Sequence, residues 1–230
     1  MLETIRPEIR AGIPVVVLEP SCAAVFRDEL PNMLPHDEDA KRLASQVTLL
    51  APFVRKQQAR FNLGRVDSSI LYHGHCHQKA VFGTRDDIEL LRSLGADVDA
   101  PDTGCCGMAG SFGFEAEHFD ISKAVGERVL LPAARKAGGR TIVADGFSCR
   151  EQVVQLAGRR PQHIAEVLRN AQARASAREE EQTRERWVDK YAGAAAAACV
   201  AIGVGLAAAQ LLVNGSHSTR YGRQQQEIKS

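Results

Sequence analysis

Residues 140–149 read Arg-Thr-Ile-Val-Ala-Asp-Gly-Phe-Ser-Cys. A short apolar run, Thr141–Ala144, reads as a buried strand; an acidic residue and a glycine turn the chain, and Cys149 opens a helical stretch reaching Leu156. Residues 13–22, Ile-Pro-Val-Val-Val-Leu-Glu-Pro-Ser-Cys, repeat that order of apolar run, acidic residue, spacer and Ser-Cys. Each copy follows an Ala-Gly (Ala11-Gly12, Ala137-Gly138), with Pro7 and Pro132 upstream, and each cysteine is followed by Arg and Glu (Arg27 and Glu29; Arg150 and Glu151). Repetition of a strand–loop–Cys–helix unit points to two related halves, the second complete and the first beginning partway through at Met1, as in one piece of a longer polypeptide.

Two further runs read as strands, Ser69–His73 and the weaker Ala96–Ala100, beside Pro14–Leu18 and Thr141–Ala144. Helical periodicity fills the intervals, over Ala23–Leu30, Asp39–Arg60, Lys79–Leu94 and Phe119–Ala137. The helix over Asp120–Lys136 is the clearest: Ile121, Ala124, Val125, Val129 and Leu130 form its apolar face, and Gly138-Gly139 stops it. Strands alternating with helices predict an α/β fold, a parallel sheet flanked by helices.

The cysteines fall where such a sheet binds ligands. Cys22, Cys76, the adjacent Cys105 and Cys106, and Cys149 each lie within a few residues after a predicted strand. Loops at the carboxyl ends of parallel strands gather at one edge. Gly104, Gly107, Gly110 and Gly113 frame the pair in Asp102-Thr-Gly-Cys-Cys-Gly-Met-Ala-Gly-Ser-Phe-Gly113 and let both sulfurs face one point. An ordinary disulfide between neighbours is geometrically awkward. Four thiolates hold zinc or an iron–sulfur cluster. Tight Cys-x-x-Cys knuckles are absent, since Gly146 stands three before Cys149, and an adjacent pair suits two irons of one cluster. Several reduced, buried cysteines are the plainer alternative.

Composition narrows the rest. A formal net charge of +1 and 5% aromatic residues give no electrostatic or stacking case for nucleic acid. Six cysteines scattered over 230 residues, behind a start without an apolar signal core, are unlike a secreted disulfide scaffold.

Ala165–Lys190 is rich in Arg and Glu, and residues 191–213 then carry no charge and one amide, Gln210. That length suits a candidate transmembrane helix of about 20 residues, with Trp187 and Tyr191 at the interface. Ten of those residues are alanine, so an Ala-rich helix docked on a partner is the alternative. Denser basic residues before the run favour a cytoplasmic globular part anchored to the plasma membrane. Cys199, inside the run, reads as a small buried hydrophobe.

The stretches His73-Gly-His-Cys-His-Gln-Lys79, Thr103–Gly113 and Asp145-Gly-Phe-Ser-Cys149 resemble the cysteine-rich CCG domain. That family includes the B subunit of heterodisulfide reductase, the iron–sulfur subunit of glycolate oxidase, and the C-terminal part of fusions with a FAD-linked oxidase. The likeness covers about residues 1–170. It implies a first-domain remnant with its linking helix over 1–60 and a complete CCG domain over 61–170. A charged linker helix (171–190), the candidate span (191–213) and a polar tail (214–230) lie largely outside it.

The resemblance also implies an iron–sulfur cluster of 4Fe–4S type held by Cys76, Cys105, Cys106 and Cys149, with Cys22 a remnant ligand of the preceding domain. The family's pattern ends in Cys-x-x-Cys, where this chain has Cys149 alone. No flavin-binding domain is present, so FAD is expected on a partner domain or subunit. The implied role is electron transfer between a 2-hydroxy-acid oxidase of glycolate or lactate type and a quinone or other acceptor. Cluster-based thiol–disulfide reduction and a zinc-bound or metal-free interaction domain are the rival readings.

His73, His75 and His77 alternate, so an extended backbone would put them on one face with Cys76 on the other. His75 and His77 are further candidate ligands or donors to the centre, against a plainer role in capping the next helix. Asp102 and Asp145 are expected to brace their loops, and Arg27 and Arg150 to offset thiolate charge.

Overall fold

A computed structural model describes residues 1–191, in two compact units divided between residues 176 and 177. In the first unit, α1 (Arg6–Arg10) leads to β1 (Val15–Val17), and α2 (Pro20–Ala24) runs through a π-helical turn, Val25–Glu29, into α3 (Leu30–Met33). Next come α4 (Glu38–Gln46), β2 (Val47–Leu49) and α5 (Leu50–Lys56). The cysteine-bearing part follows as β3 (Ser69–His73), α6 (Cys76–Val81), α7 (Arg85–Ser93), β4 (Asp97–Asp99), α8 (Phe119–Gly126), α9 (Leu130–Arg135), β5 (Thr141–Ala144) and α10 (Phe147–Ala157). Residues 164–176 are helical and form α11.

All strand pairing among the described residues is parallel. β1 pairs with β2, and a second sheet has the order β4-β3-β5, with Ser69 opposite Asp97 and His73 opposite Ala144. Ile70 to His73 are all buried, because helices cover both faces of the central strand. The pleat divides them: Ile70 and Tyr72 join Leu90 and Leu91 of α7 and Ile164 and Val167 of α11. Leu71 faces the other way, into Leu130 and Leu131 of α9, Val153 of α10, and Cys106 and Cys149. The smaller sheet has its own core of Ile9, Ala23, Leu43, Val47 and Leu49.

The α/β architecture agrees with the sequence, and three predicted helices differ. Asp39–Arg60 is interrupted by β2, whose Val47, Thr48 and Leu49 exchange helical bonds for a ladder with Val15–Val17. Pairing to a distant strand overrides the local periodicity. Phe119–Ala137 breaks at residues 127–129, upstream of Pro132. The proline ring has no N–H to give residue 128 and would collide with its carbonyl, so a new helix starts at Leu130. Lys79–Leu94 likewise splits into α6 and α7, around Gly83.

In the second unit, residues 177–191 are helical and largely exposed, with the Trp187 and Tyr191 rings 5.1 Å apart. No helix among the described residues is long and apolar enough to cross a membrane. The predicted span lies outside the described residues apart from Tyr191, and Cys199 lies outside them too.

Candidate metal–sulfur centre

β3 is the switch point of its sheet: the chain leaves it for β4 on one side and returns to β5 on the other. The crevice beyond its carboxyl end is therefore where a ligand would sit. Three loops reach that crevice. Cys76 opens α6 directly after β3, Cys105 and Cys106 lie in the loop after β4, and Cys149 sits in the first turn of α10 after β5.

The sulfurs form a chain of contacts. Cys76 Sγ and Cys105 Sγ are 4.0 Å apart. Cys105 hydrogen-bonds with Cys106, and Cys106 with Cys149. Cys106 and Cys149 are buried, whereas Cys76 and Cys105 are half-buried at the rim. Cys22, exposed in α2, takes no part in these contacts.

Contact among the sulfurs perturbs their acidity in opposite directions. Hydrogen bonds from Cys106 and Cys76, joined by the Gly107 N–H at 3.3 Å, hold the Cys105 thiol well below the ordinary thiol range. Cys149 is also pushed well down, chiefly by its contact with Cys106, against the opposing effect of burial. Cys76 is raised by its contact with Cys105 and by burial, and Cys106 by its contacts with Cys105 and Cys149 and by burial. Four thiols in contact compete for protons in a small volume, and a cation takes the place of such protons readily. His73 is buried, and its Nε2 has no hydrogen-bond partner among the described residues. The donor set fits a thiolate-ligated metal centre.

Neighbouring elements hold the loops. Gln152, three residues after Cys149 in α10, donates through Nε2 to Cys106 O (3.1 Å), Ser122 O (3.2 Å) and Ser122 Oγ (3.1 Å). Lys79 Nζ donates to Gly104 O at 2.8 Å, and Asp102 accepts from Gly104 N at 3.4 Å. His73 Nδ1 meets the Thr103 hydroxyl. Asp145 accepts from Ile164 N at 2.8 Å, so both loop acids brace backbone as expected. Arg150 donates to Ala144 O and Asp145 O, and Arg27 to Ala44 O. These guanidiniums serve main-chain carbonyls rather than the thiolates.

The histidines differ from the extended-segment expectation. Because α6 begins at Cys76, the backbone turns there, and the His75 and His77 rings stack with centroids 5.3 Å apart. His75 caps the helix: its Nδ1 accepts from His77 N at 3.2 Å, which leaves the proton of the neutral ring on Nε2. A Cβ on Gly146 would meet His75 Cδ2 at 2.3 Å and Cys149 Sγ at 3.1 Å, so ring and sulfur flank one glycine. Donor atoms of His75, Cys76 and His77 lie within 4.8 Å of one another, a second set able to hold a metal ion.

The first-half echo also reaches this edge. Glu19 accepts from Ser21 Oγ (2.9 Å) and from Phe147 N (2.8 Å) at the start of α10, and His163 Nε2 meets Leu18 O at 2.9 Å. Sequence reasoning passed over Gln152, Ser122 and Thr103. Of these, only Gln152 left a signal, an amide on the same side of its helix as Cys149.

Over 177 residues the chain is 30% identical to the C subunit of anaerobic glycerol-3-phosphate dehydrogenase from Escherichia coli K12, covering 75% of this chain and 44% of that protein. It is 31% identical over 159 residues to D-2-hydroxyglutarate dehydrogenase of Pseudomonas putida KT2440, covering 68% of this chain and 15% of that protein. The Escherichia coli K12 D-2-hydroxyglutarate dehydrogenase is 26% identical over 161 residues, covering 69% of this chain and 16% of that protein. The chain thus spans less than half the length of these relatives. Both names are those of oxidoreductases, which fits the CCG-type resemblance of the cysteine motifs. No family model and no solved structure matches the chain.

Proposed function

We propose that this chain is an electron-transfer module in which Cys76, Cys105, Cys106 and Cys149 hold an iron–sulfur cluster of 4Fe–4S type. The observation that carries the reading is the convergence of four sulfurs from three loops at the switch point of a parallel sheet. Such a cluster, when bound, supplies one-electron redox chemistry. The residues of the chain bind and shape it. Cys105 and Cys149 are predisposed to the thiolate form, Gly107 N–H donates to a ligand sulfur, and Gln152 fixes the carbonyl of Cys106.

The electrons come from a flavin-containing domain or subunit and pass to a quinone or other acceptor. The two relatives' names refer to a 2-hydroxy acid and to glycerol 3-phosphate. Both are anionic secondary alcohols, so dehydrogenation of that class of substrate on the flavin partner is the reaction served. The uncharged run 191–213 anchors the module to a membrane. Removing residues 192–230 should release it from carbonate-washed membranes, and full-length protein found only in the supernatant would refute the anchor.

Anaerobic purification with iron and sulfide quantification tests the centre. About four irons per chain are expected, lost in Cys105→Ser and Cys106→Ser and retained in Cys22→Ser. Equal iron in all three variants defeats the ligand assignment.

A second reading, a single tetrahedral zinc, is favoured by the 4.0 Å between Cys76 and Cys105. Bonds of about 2.3 Å give a tetrahedral sulfur–sulfur edge of roughly 3.8 Å. Colourless protein with one zinc would select that reading.

A further inference from the structure

β3 ends on His73, which is 1% exposed and stands opposite Ala144 of β5. Side chains two apart on a strand share a face. His73 therefore lies on the face of Leu71, which packs with Cys106 and Cys149, and at the strand end where the cysteine loops converge. The ring is close enough to Cys149 to act on its sulfur electrostatically. Its Nδ1 is taken by the hydroxyl of Thr103, two residues before Cys105. Its Nε2 is buried with no hydrogen-bond partner among the described residues. Leaving a buried polar nitrogen unpaired is costly. An orphan of this kind, on the sulfur side of the central strand, points to a partner that the protein binds.

The charge of the centre decides which way the Thr103 contact runs. Either Nδ1–H donates to the hydroxyl and Nε2 presents a lone pair, or the hydroxyl donates to Nδ1 and Nε2 carries the proton. Four cysteine thiolates fill the terminal positions of a 4Fe–4S cluster and make it negative. The nitrogen then has no metal position to take, and a lone pair aimed at the cluster would be repelled. An N–H aimed there is attracted, the more so among apolar neighbours such as Leu71, Met108 and Leu131.

We propose that His73 Nε2–H donates a hydrogen bond to a sulfur at the Cys149 corner of the bound cluster, with the Thr103 O–H fixing the ring through Nδ1. This rests on the cluster reading above. Hydrogen bonds to the sulfurs help set the potential of such a cluster. A donor stabilises the more negative, reduced form, so His73 raises the midpoint. Thr103 makes the ring ready for that role before any metal arrives.

Potentiometric titration of the iron-loaded protein, with iron counted on the same samples, is the test. His73→Leu should keep its iron and shift the one-electron equilibrium toward the oxidised form by on the order of tenfold, which is a midpoint ~59 mV more negative. His73→Gln carries an Nε2–H at a similar reach and should recover most of the wild-type midpoint. In metal-free wild type, NMR of the histidine ring nitrogens should find His73 as the neutral Nε2–H tautomer. An unchanged midpoint in His73→Leu, an equal fall in His73→Leu and His73→Gln, loss of iron from both, or an Nδ1–H tautomer overturns the proposal. With iron present in the wild type, those outcomes leave the cluster reading standing; an iron-free wild type removes both.

Discussion

Gly107 follows the cysteine pair with φ of +97°, and a Cβ built on it would stand 2.1 Å from the carbonyl oxygen of Ser122 in α8. Both contributions to the effect of Gly107→Ala can be estimated. An L-residue held in the left-handed region costs ~1–2 kcal/mol. The overlap is with backbone, so loop or helix must move, at a further ~1–3 kcal/mol by analogy with overpacked cores. A total near 3 kcal/mol lowers the melting temperature of a unit this size by about 6–12 °C. Gly104 in the same loop is the control: its φ is +62°, but nothing lies within 4 Å of a Cβ placed there. Gly104→Ala should therefore show backbone strain alone, about 1.5 kcal/mol or roughly 3–6 °C. Circular dichroism melting of the metal-free proteins reads the difference. Displacing Ser122 should also loosen Gln152 from Cys106, so metal loading of Gly107→Ala should fall beside that of Gly104→Ala. Equal melting temperatures for the two variants would refute the close approach of loop and helix.

Gln152→Leu leaves the buried carbonyls of Cys106 and Ser122 without their donor and should cost ~2–4 kcal/mol, read as a shift in the urea midpoint; a change within error would show the clasp is dispensable. For pH, burial raises Asp87 and Asp145 to about 7, against ~4 in the unfolded chain. The native state then holds more protons between those values, so this contribution is complete below about pH 4 and is lost as pH rises through about 7. Metal-free protein should melt lower at about pH 8 than at about pH 5, with the gap narrowed in Asp87→Asn; the opposite order would contradict it. Asp39, held down by Arg10, acts at lower pH, where its contribution disappears as acid is added. Glu19→Ala removes the cap shared by Ser21 and Phe147 and should cost ~1 kcal/mol, with protease sensitivity appearing first near residues 18–20; uniform resistance would argue against the contact.

The strands that carry the site were legible because they are buried on both sides. Ser69–His73 and Thr141–Ala144 are short apolar runs whose limits the structure reproduces residue for residue. β2 was not legible. Val47-Thr48-Leu49 continues the apolar spacing of α4, and only its partnership with β1 makes it a strand. The cysteines could be placed at one edge from chain order alone, since the carboxyl ends of parallel strands point the same way. What chain order could not supply was the turn at Cys76, which stacks the His75 and His77 rings. Nor could it show Ser122 and Gln152 meeting beneath Cys106, because that contact joins α8 and α10 through tertiary packing.

The bond from Phe147 N to Glu19 closes a loop between residues 128 positions apart. Closure entropy grows only slowly with length, by about 0.6 kcal/mol for each doubling, so the contact is not expensive at equilibrium. Its effect is on the order of events. Contacts of such long separation form late, after local helices and nearby strands have condensed. The segment around β1 and α2 then docks onto the start of α10 once β5 is in place, which makes this junction between the two sheets the last part to acquire its native shape and the first to release in a partial opening.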